Sequence, residues 1–260
     1  MTKRKRIVAI IQARLGSTRL PGKTLMTLGG ETLLGHLVKR VKASKYVDDI
    51  IIATTTNERD DAIVRVAKEK NLNCYRGSEN DVLDRFYQAA VAYGVKTIVR
   101  VTPDCPILDP EVMDLVIAKY LEGGYNYVSN TIRPSFPDGL DTEVFSFEAL
   151  EKAWKEAQLA SEREHVTVYI TKHPELFRIF NVKHVGRNLS HLRWTVDTKR
   201  DYDFISKIFK SMPPKKDIFF MSDVLDLLAK NSDLIKINSG MNRNEGYAKS
   251  LREDRVIANG

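Results

Sequence analysis

The apolar positions of the chain alternate between two periods. Residues 7–11, Ile-Val-Ala-Ile-Ile, form an unbroken apolar run of strand length, the pattern of a strand covered on both faces. Leu33, Leu34, Leu37, Val38 and Val41 then recur at the spacing of one helix face. Residues 49–55 read as a second buried strand, and Ala62, Ile63, Val66 and Ala67 line a second helix. Residues 73–76 read as a short strand, 81–93 as a helix capped by Asn80 or Asp81, and 97–102 as another strand. Asp109-Pro110 opens a fourth helix, with proline at the first position, where an N–H has no helical partner to lose. This βαβα order predicts an α/β fold with a mostly parallel sheet between helices. Ligands then belong beyond the carboxyl ends of the strands.

The pattern changes near residue 126. Residues 125–129 and 142–146 read as strands around a proline-containing loop at 133–141. Helices are expected at 147–158 and 162–172, strands at 176–182 and 192–196, and a further helix from Lys199. The stretch 126–190 reads as an excursion from the main sheet. It carries apolar residues (Phe136, Phe145, Phe147, Val166, Tyr169, Ile170) beyond what a simple sheet cover needs. After Ile237 the chain is polar with weak periodicity. No internal repeat or linker is visible, so residues 1–260 are expected to form one domain.

Composition narrows the classes. The apolar fraction of 43% and charged fraction of 29% are those of an ordinary globular protein. No apolar run approaches the length of a membrane span. The first six residues are basic, but only a strand-length apolar run follows, so no signal peptide is expected. Cys74 and Cys105 are the only cysteines, which fits a reducing cytoplasm without disulfides. The net charge of +7 raises nucleic acid as a partner. Against it, acidic residues interrupt the lysines and arginines throughout, and no aromatic-plus-basic array stands out. A cleft for a triphosphate needs only a few of these cations.

Candidate chemistry concentrates directly after the first strand. Arg14, Gly16, Ser17, Thr18, Arg19, Pro21, Gly22 and Lys23 place cations, hydroxyls and glycines in one loop. Glycine lets backbone N–H groups approach an anion, and the cations neutralise it, so the loop reads as a phosphate cradle. It is not a P-loop. Gly16 and Gly22 enclose five residues rather than four, Pro21 removes an N–H, and Gly29-Gly30 interrupts any long helix after Lys23. Two carboxylates end later apolar strands: Asp104 in Thr-Pro-Asp-Cys-Pro and Asp197 in Trp-Thr-Val-Asp-Thr. Carboxylates so placed can hold Mg²⁺ together with substrate phosphates, and each also fits a local turn or helix cap.

Ala13-Arg14 and Ser17-Thr-Arg-Leu-Pro-Gly-Lys23 closely resemble the signature of the cytidylyltransferases that activate sugars as CMP conjugates. These are the 3-deoxy-manno-octulosonate and acylneuraminate enzymes, and above all their spore-coat polysaccharide branch. The resemblance runs over about residues 6–210. It implies a GT-A-like nucleotidyltransferase fold and transfer of CMP from CTP to a small acceptor, with loss of pyrophosphate. It further implies Mg²⁺ on Asp104 and Asp197, the triphosphate on Arg14 and Lys23 with help from Arg19, and a homodimer paired through the excursion. Ala13, Gly16 and Ser17 complete the nucleotide loop by the same likeness. Arg76 and Gly77 match the position that meets the pyrimidine, although Leu83-Asp84-Arg85 replaces the simpler family run there. Asp84-Arg85 reads as ordering its helix. Thr54 fits a contact to base or ribose and equally an ordinary turn. Asp138, Asp141 and Glu143, with Glu164 and His165, are the acceptor candidates. Two other classes stay open: a glycosyltransferase of the same fold, which lacks support in the absence of an Asp-x-Asp motif at a strand end, and a non-catalytic nucleotide-binding protein, against which the full loop and both carboxylates argue.

Overall fold

The computed structural model describes residues 6–213, 217–241 and 243–257; of the basic leader, residues 1–5 lie outside them. The chain runs β1 (Ile7–Gln12), β2 (Thr27–Leu28), β3 (Glu31–Thr32), α1 (Leu33–Lys42), β4 (Asp49–Thr55), α2 (Asp61–Glu69), β5 (Asn73–Gly77), α3 (Val82–Ala92), β6 (Thr97–Val101) and α4 (Pro110–Leu121). It continues through β7 (Tyr127–Ser129), β8 (Glu143–Ser146), α5 (Phe147–Glu156), α6 (Ala160–Glu164), α7 (Val168–Lys172), β9 (Ile179–Asn181), α8 (Lys199–Ser211), α9 (Met221–Lys230) and α10 (Glu245–Arg252).

Seven strands form one sheet in the order β5-β4-β1-β6-β8-β7-β9, while β2 and β3 make a separate small hairpin. β1 pairs in parallel with β4 and β6, and β4 with β5. β8 runs antiparallel to both β6 and β7, and β9 returns parallel to β7. Among the described strands of this sheet, β8 alone is reversed. The stretch expected to leave the sheet therefore extends it instead, by three strands.

The period of two along β1 explains its central place. Ile7, Ala9 and Ile11 enter one apolar cluster with Leu34, Leu37 and Val41 of α1, while Val8 and Ile10 enter another with Leu83, Phe86 and Ala90 of α3. All five β1 residues from Ile7 to Ile11 are fully buried. Burying each large aliphatic side chain contributes about 1.5–3 kcal/mol. The predicted caps are present: Asp81 accepts from Asp84 N–H at the start of α3, and Asp109 accepts from Glu111 and Val112 N–H at the start of α4.

Four expectations differ. The helix expected at 162–172 is two helices, broken at residues 165–167, where Val166 is fully buried at φ 49°. A β-branched residue rarely adopts that region, and here it turns the chain inward. The strand expected at 176–182 is reduced to β9. Residues 192–196 are extended but join no sheet; Arg193 bridges only to Asp138. The apolar surplus of 126–190 is largely consumed inside the chain: Phe136, Phe145, Val166 and Ile170 are at most 2% exposed. It therefore gives no support of its own to a dimer face.

Candidate active site

The loop after β1 is closed on itself. Gly22 N–H donates to Leu15 C=O at 3.1 Å, Lys23 N–H to Leu20 C=O at 3.2 Å, and Thr24 Oγ1 to Arg14 C=O at 3.0 Å. Gly22 takes φ +71° at the start of a single 3-10 turn, a left-handed geometry that glycine adopts without a Cβ penalty. This turn aims Lys23 inward. Its Nζ donates to Asp104 Oδ2 at 2.9 Å, to Asp197 Oδ1 at 2.7 Å and to the Val196 carbonyl at 2.9 Å. The two carboxylates predicted from separate strand ends thus converge on one cation.

Backbone contacts fix that convergence. Asp104 C=O accepts from Val196 N–H at 2.8 Å and from Thr195 Oγ1 at 3.2 Å, tying the end of β6 to the segment that carries Asp197. Asp138 N–H donates to Leu192 C=O, and Trp194 N–H to Asp138 C=O at 2.6 Å. Between them Gly139 sits at φ +110°, and a Cβ there would lie 2.7 Å from the Trp194 carbonyl carbon. Only glycine allows the two strands of chain to approach so closely. Asp201 opens α8 in a capping box with Thr198 and also accepts from Arg193 Nε at 3.0 Å.

Asp104 and Asp197 stand where two chambers meet. The larger, about 800 Å³, is lined by Ala13, Arg14, Gly16, Ser17, Arg19 and Lys23. The smaller, about 540 Å³, is lined by Asp138, Asp141 and Glu143 together with Arg100 and Arg193. His165 faces both chambers, while Glu164 faces only the larger, on the side of the cationic loop. The structure does not bring Thr54, Arg76 and Gly77 to either chamber. Thr54 is fully buried in β4, and Arg76 is committed to the Thr55 and Asn57 carbonyls and to Asp61. Gly77 lies in the ladder against Thr55.

Charge in the smaller chamber is paired. Arg100 holds Glu143, which also accepts from Tyr127 Oη at 2.6 Å and Thr167 Oγ1 at 2.5 Å. Arg193 bonds Asp138 at 2.9 Å and Asp197 at 3.0 Å, and Arg243 holds Asp141. Burial, followed by the nearby Asp141, pushes Asp138 up to about 7, against the pull of Arg243 and Arg193. Burial likewise raises Asp141, although Arg243 opposes it. Burial works to raise Asp104 as well, but Lys23 and the Thr102 hydroxyl bring it down to about 2. Burial works to lower Lys23, and Asp104 and Asp197 outweigh it, leaving Lys23 above its ordinary value. Burial lowers His165.

Several residues that line the chambers were given no site role in the sequence, Arg85 among them, which was read as ordering its helix. Arg85 lines the larger chamber, is 1% exposed, donates to Ser78 C=O at 2.7 Å and has no partner for its Nε. Burial lowers it to about 10. Arg100 and Arg193 were legible as cations inside otherwise apolar runs. Helix α10 was not: Glu245 reaches Arg19 at 3.1 Å, Ser250 hydrogen-bonds Glu164 and His165, and Tyr247 meets the His165 ring edge-on. Glu245 and Gly246 line both chambers.

A cationic glycine loop after the first strand, two converging carboxylates and a second polar chamber across from them are the build of a nucleotidyltransferase. The cytidylyltransferase family model matches residues 8–250, and the chain belongs to that family: it is a CTP-dependent nucleotidyltransferase. It is 40% identical over 253 residues to the uncharacterized protein MJ1063 of Methanocaldococcus jannaschii, covering 95% of this chain and 98% of that one. It is 37% identical over 235 residues to the spore coat polysaccharide biosynthesis protein SpsF of Bacillus subtilis, covering 87% and 95%. The solved structure of a cytidylyltransferase from Leptospira borgpetersenii superposes with a TM-score of 0.85 at 32% identity, over 92% of this chain and 100% of that one.

Proposed function

We propose that the chain transfers CMP from CTP to a small sugar, sugar-acid or related acceptor in cell-surface polysaccharide biosynthesis. The observation that carries this reading is the meeting of the two chambers at Asp104 and Asp197. Triphosphate held by Arg14 and the loop, and acceptor held among Asp138, Asp141 and Glu143, would face each other there. The acceptor oxygen attacks the α-phosphorus, the bond to the bridging oxygen breaks, and pyrophosphate leaves with the electron pair. Asp138, pushed up to about 7 and lining the chamber proposed for the acceptor, is our candidate to take the acceptor's proton. Arg85 adds a buried cation to the lining of the larger chamber, which supports binding of an anionic nucleotide there.

Asp104 and Asp197 fit a divalent ion, because their oxygens already share one positively charged centre. Two carboxylates suit Mg²⁺, which takes its remaining ligands from phosphates and water. When bound, it would neutralise charge developing on the phosphates. Among the described residues no helix is long and apolar enough to cross a membrane. A cytoplasmic homodimer is part of the proposal; it rests on the free Cys74 and Cys105 for the compartment and on family likeness for the pairing. The likeness to SpsF supports the polysaccharide role. The test is pyrophosphate release from CTP with Mg²⁺ across a panel of sugars, sugar acids and phosphorylated acceptors. Release that depends on one acceptor class, with the CMP conjugate found by mass spectrometry, supports the reading. No release with any acceptor, or consumption of a sugar nucleotide instead, refutes it.

A further inference from the structure

Lys23 cannot do two things at once. An ammonium has three N–H donors. All three are spent, on Asp104, Asp197 and the Val196 carbonyl, at 2.7–2.9 Å. A phosphate contact from Lys23 therefore requires that these bonds break. A divalent cation ligated by Asp104 Oδ2 and Asp197 Oδ1 would claim the same two oxygens. The second oxygen of Asp197 is engaged as well, by Arg193 at 3.0 Å and Arg19 at 3.1 Å.

We infer that Lys23 and the divalent ion compete for one position, so that Lys23 guards the carboxylate pair and the triphosphate is what draws it off. This rests on the reading of Asp104 and Asp197 as metal ligands. Each step follows from charge. An ammonium and a divalent ion cannot both occupy the space between Asp104 Oδ2 and Asp197 Oδ1, and their charges repel at that distance. Phosphate oxygens offer the ammonium a replacement set of anionic acceptors. Once Lys23 turns to them, the carboxylates need a new cation, and the metal supplies it. Nucleotide and metal then bind with positive coupling, which must be reciprocal. The closed turn fixes the Lys23 backbone, while four side-chain torsions can carry the ammonium to new acceptors once its three bonds break.

The test measures Mn²⁺ binding, by electron paramagnetic resonance of the free ion, on the full chain without nucleotide. Lys23→Met and the milder Lys23→Gln are compared with wild type, and thermal melts with and without Mn²⁺ check folding. Both variants should bind Mn²⁺ at least tenfold more tightly than wild type, and Mn²⁺ should raise their melting temperature more than that of wild type. A CTP analogue with a methylene bridge between the α- and β-phosphorus should tighten Mn²⁺ binding to wild type and narrow the gap. Should Lys23→Met not fold, Lys23→Gln carries the comparison. Unchanged or weaker Mn²⁺ binding in the folded variants overturns the inference, while the metal reading stands if Asp104→Asn abolishes analogue-supported Mn²⁺ binding to wild type. Analogue-supported binding that survives Asp104→Asn overturns the metal reading and the inference together.

Discussion

Arg14 offers the cleanest separation of ligand binding from stability. Its guanidinium faces the larger chamber, and among the described residues it makes no hydrogen bond or ion pair. Its backbone carbonyl holds Thr24, and that bond survives truncation of the side chain. Arg14→Ala should therefore leave the fold as it is, with a change within about 0.5 kcal/mol, the range for substitutions that remove no packed or paired group. CTP affinity should suffer. A charge-assisted hydrogen bond is worth ~1.5–3 kcal/mol, and the half-exposed position places Arg14 at the lower end. About 1.5 kcal/mol corresponds to roughly a tenfold rise in Kd. Arg14→Lys should recover only part of it, because an ammonium lacks the planar two-pronged fork. The assay is calorimetric titration of CTP at one fixed salt and Mg²⁺ concentration, with Arg65→Ala as control on an exposed position outside both chambers. If Arg65→Ala weakens CTP as much as Arg14→Ala, the effect is diffuse attraction and the cradle is wrong. A large loss of stability in Arg14→Ala would equally refute the account of an uncommitted cation.

Other outcomes follow from the same geometry. Asp104→Asn and Asp197→Asn should lower turnover by about 10²–10⁴ while CTP-independent folding persists in thermal melts; near-normal turnover at saturating Mg²⁺ would reduce either residue to a cap. With Asp138 near 7, its carboxylate fills as pH rises through that value, facing Arg193, Arg243, Asp141 and Asp104. Turnover should climb between about pH 6 and 8, and Asp138→Asn should flatten that limb and lower the plateau by about 10²–10⁴; an unchanged pH–rate profile would remove Asp138 as the base. CTP should bind more tightly than UTP, ATP or GTP in parallel titrations, and Arg85→Met should weaken CTP binding; equal affinity for UTP would count against cytosine selection. Light scattering should give twice the 29.6 kDa chain mass at micromolar concentration, and a monomer mass would remove the proposed pairing.

The parts of the fold legible in the sequence are those that bury a periodic apolar face. β1, β4, α1 and α3 were visible because their side chains fill the clusters on either side of the sheet. The loop after β1 stood out because cations, hydroxyls and glycines are crowded between Arg14 and Lys23, and Asp104 and Asp197 because each ends an apolar run. Helix α10 was invisible for the opposite reason: none of its residues is buried, and its attachments run through Glu245, Tyr247 and Ser250. Residues 192–196 looked like a strand because Leu192, Trp194 and Val196 alternate inward, yet their backbone pairs with the Asp138 loop and with Asp104. Thr54 was misleading because a hydroxyl near a strand end looks available, whereas it is fully buried within the sheet. The break at Val166 has no local signal: neither glycine nor proline marks it.

The reversal of β8 sets how such a chain can diversify. In the parallel strands the edge that faces the chambers comes last, so the cationic loop and Asp104 follow β1 and β6. In β8 the same edge comes first: Glu143, its opening residue, pairs with Arg100 near the end of β6, and the stretch from Asp138 leads into it. The smaller chamber therefore draws on a strand exit, Arg100 to Asp104, and on a strand entrance, Asp138 to Glu143, the latter more than a hundred residues after the loop at Arg14. Substitutions in the run from 130 to 142 can redraw this part of the smaller chamber without altering a single residue of the loop after β1. The loop after β1 and this wall can therefore change in separate stretches of gene, while Asp104, His165 and Asp197, which line both chambers, are held in common.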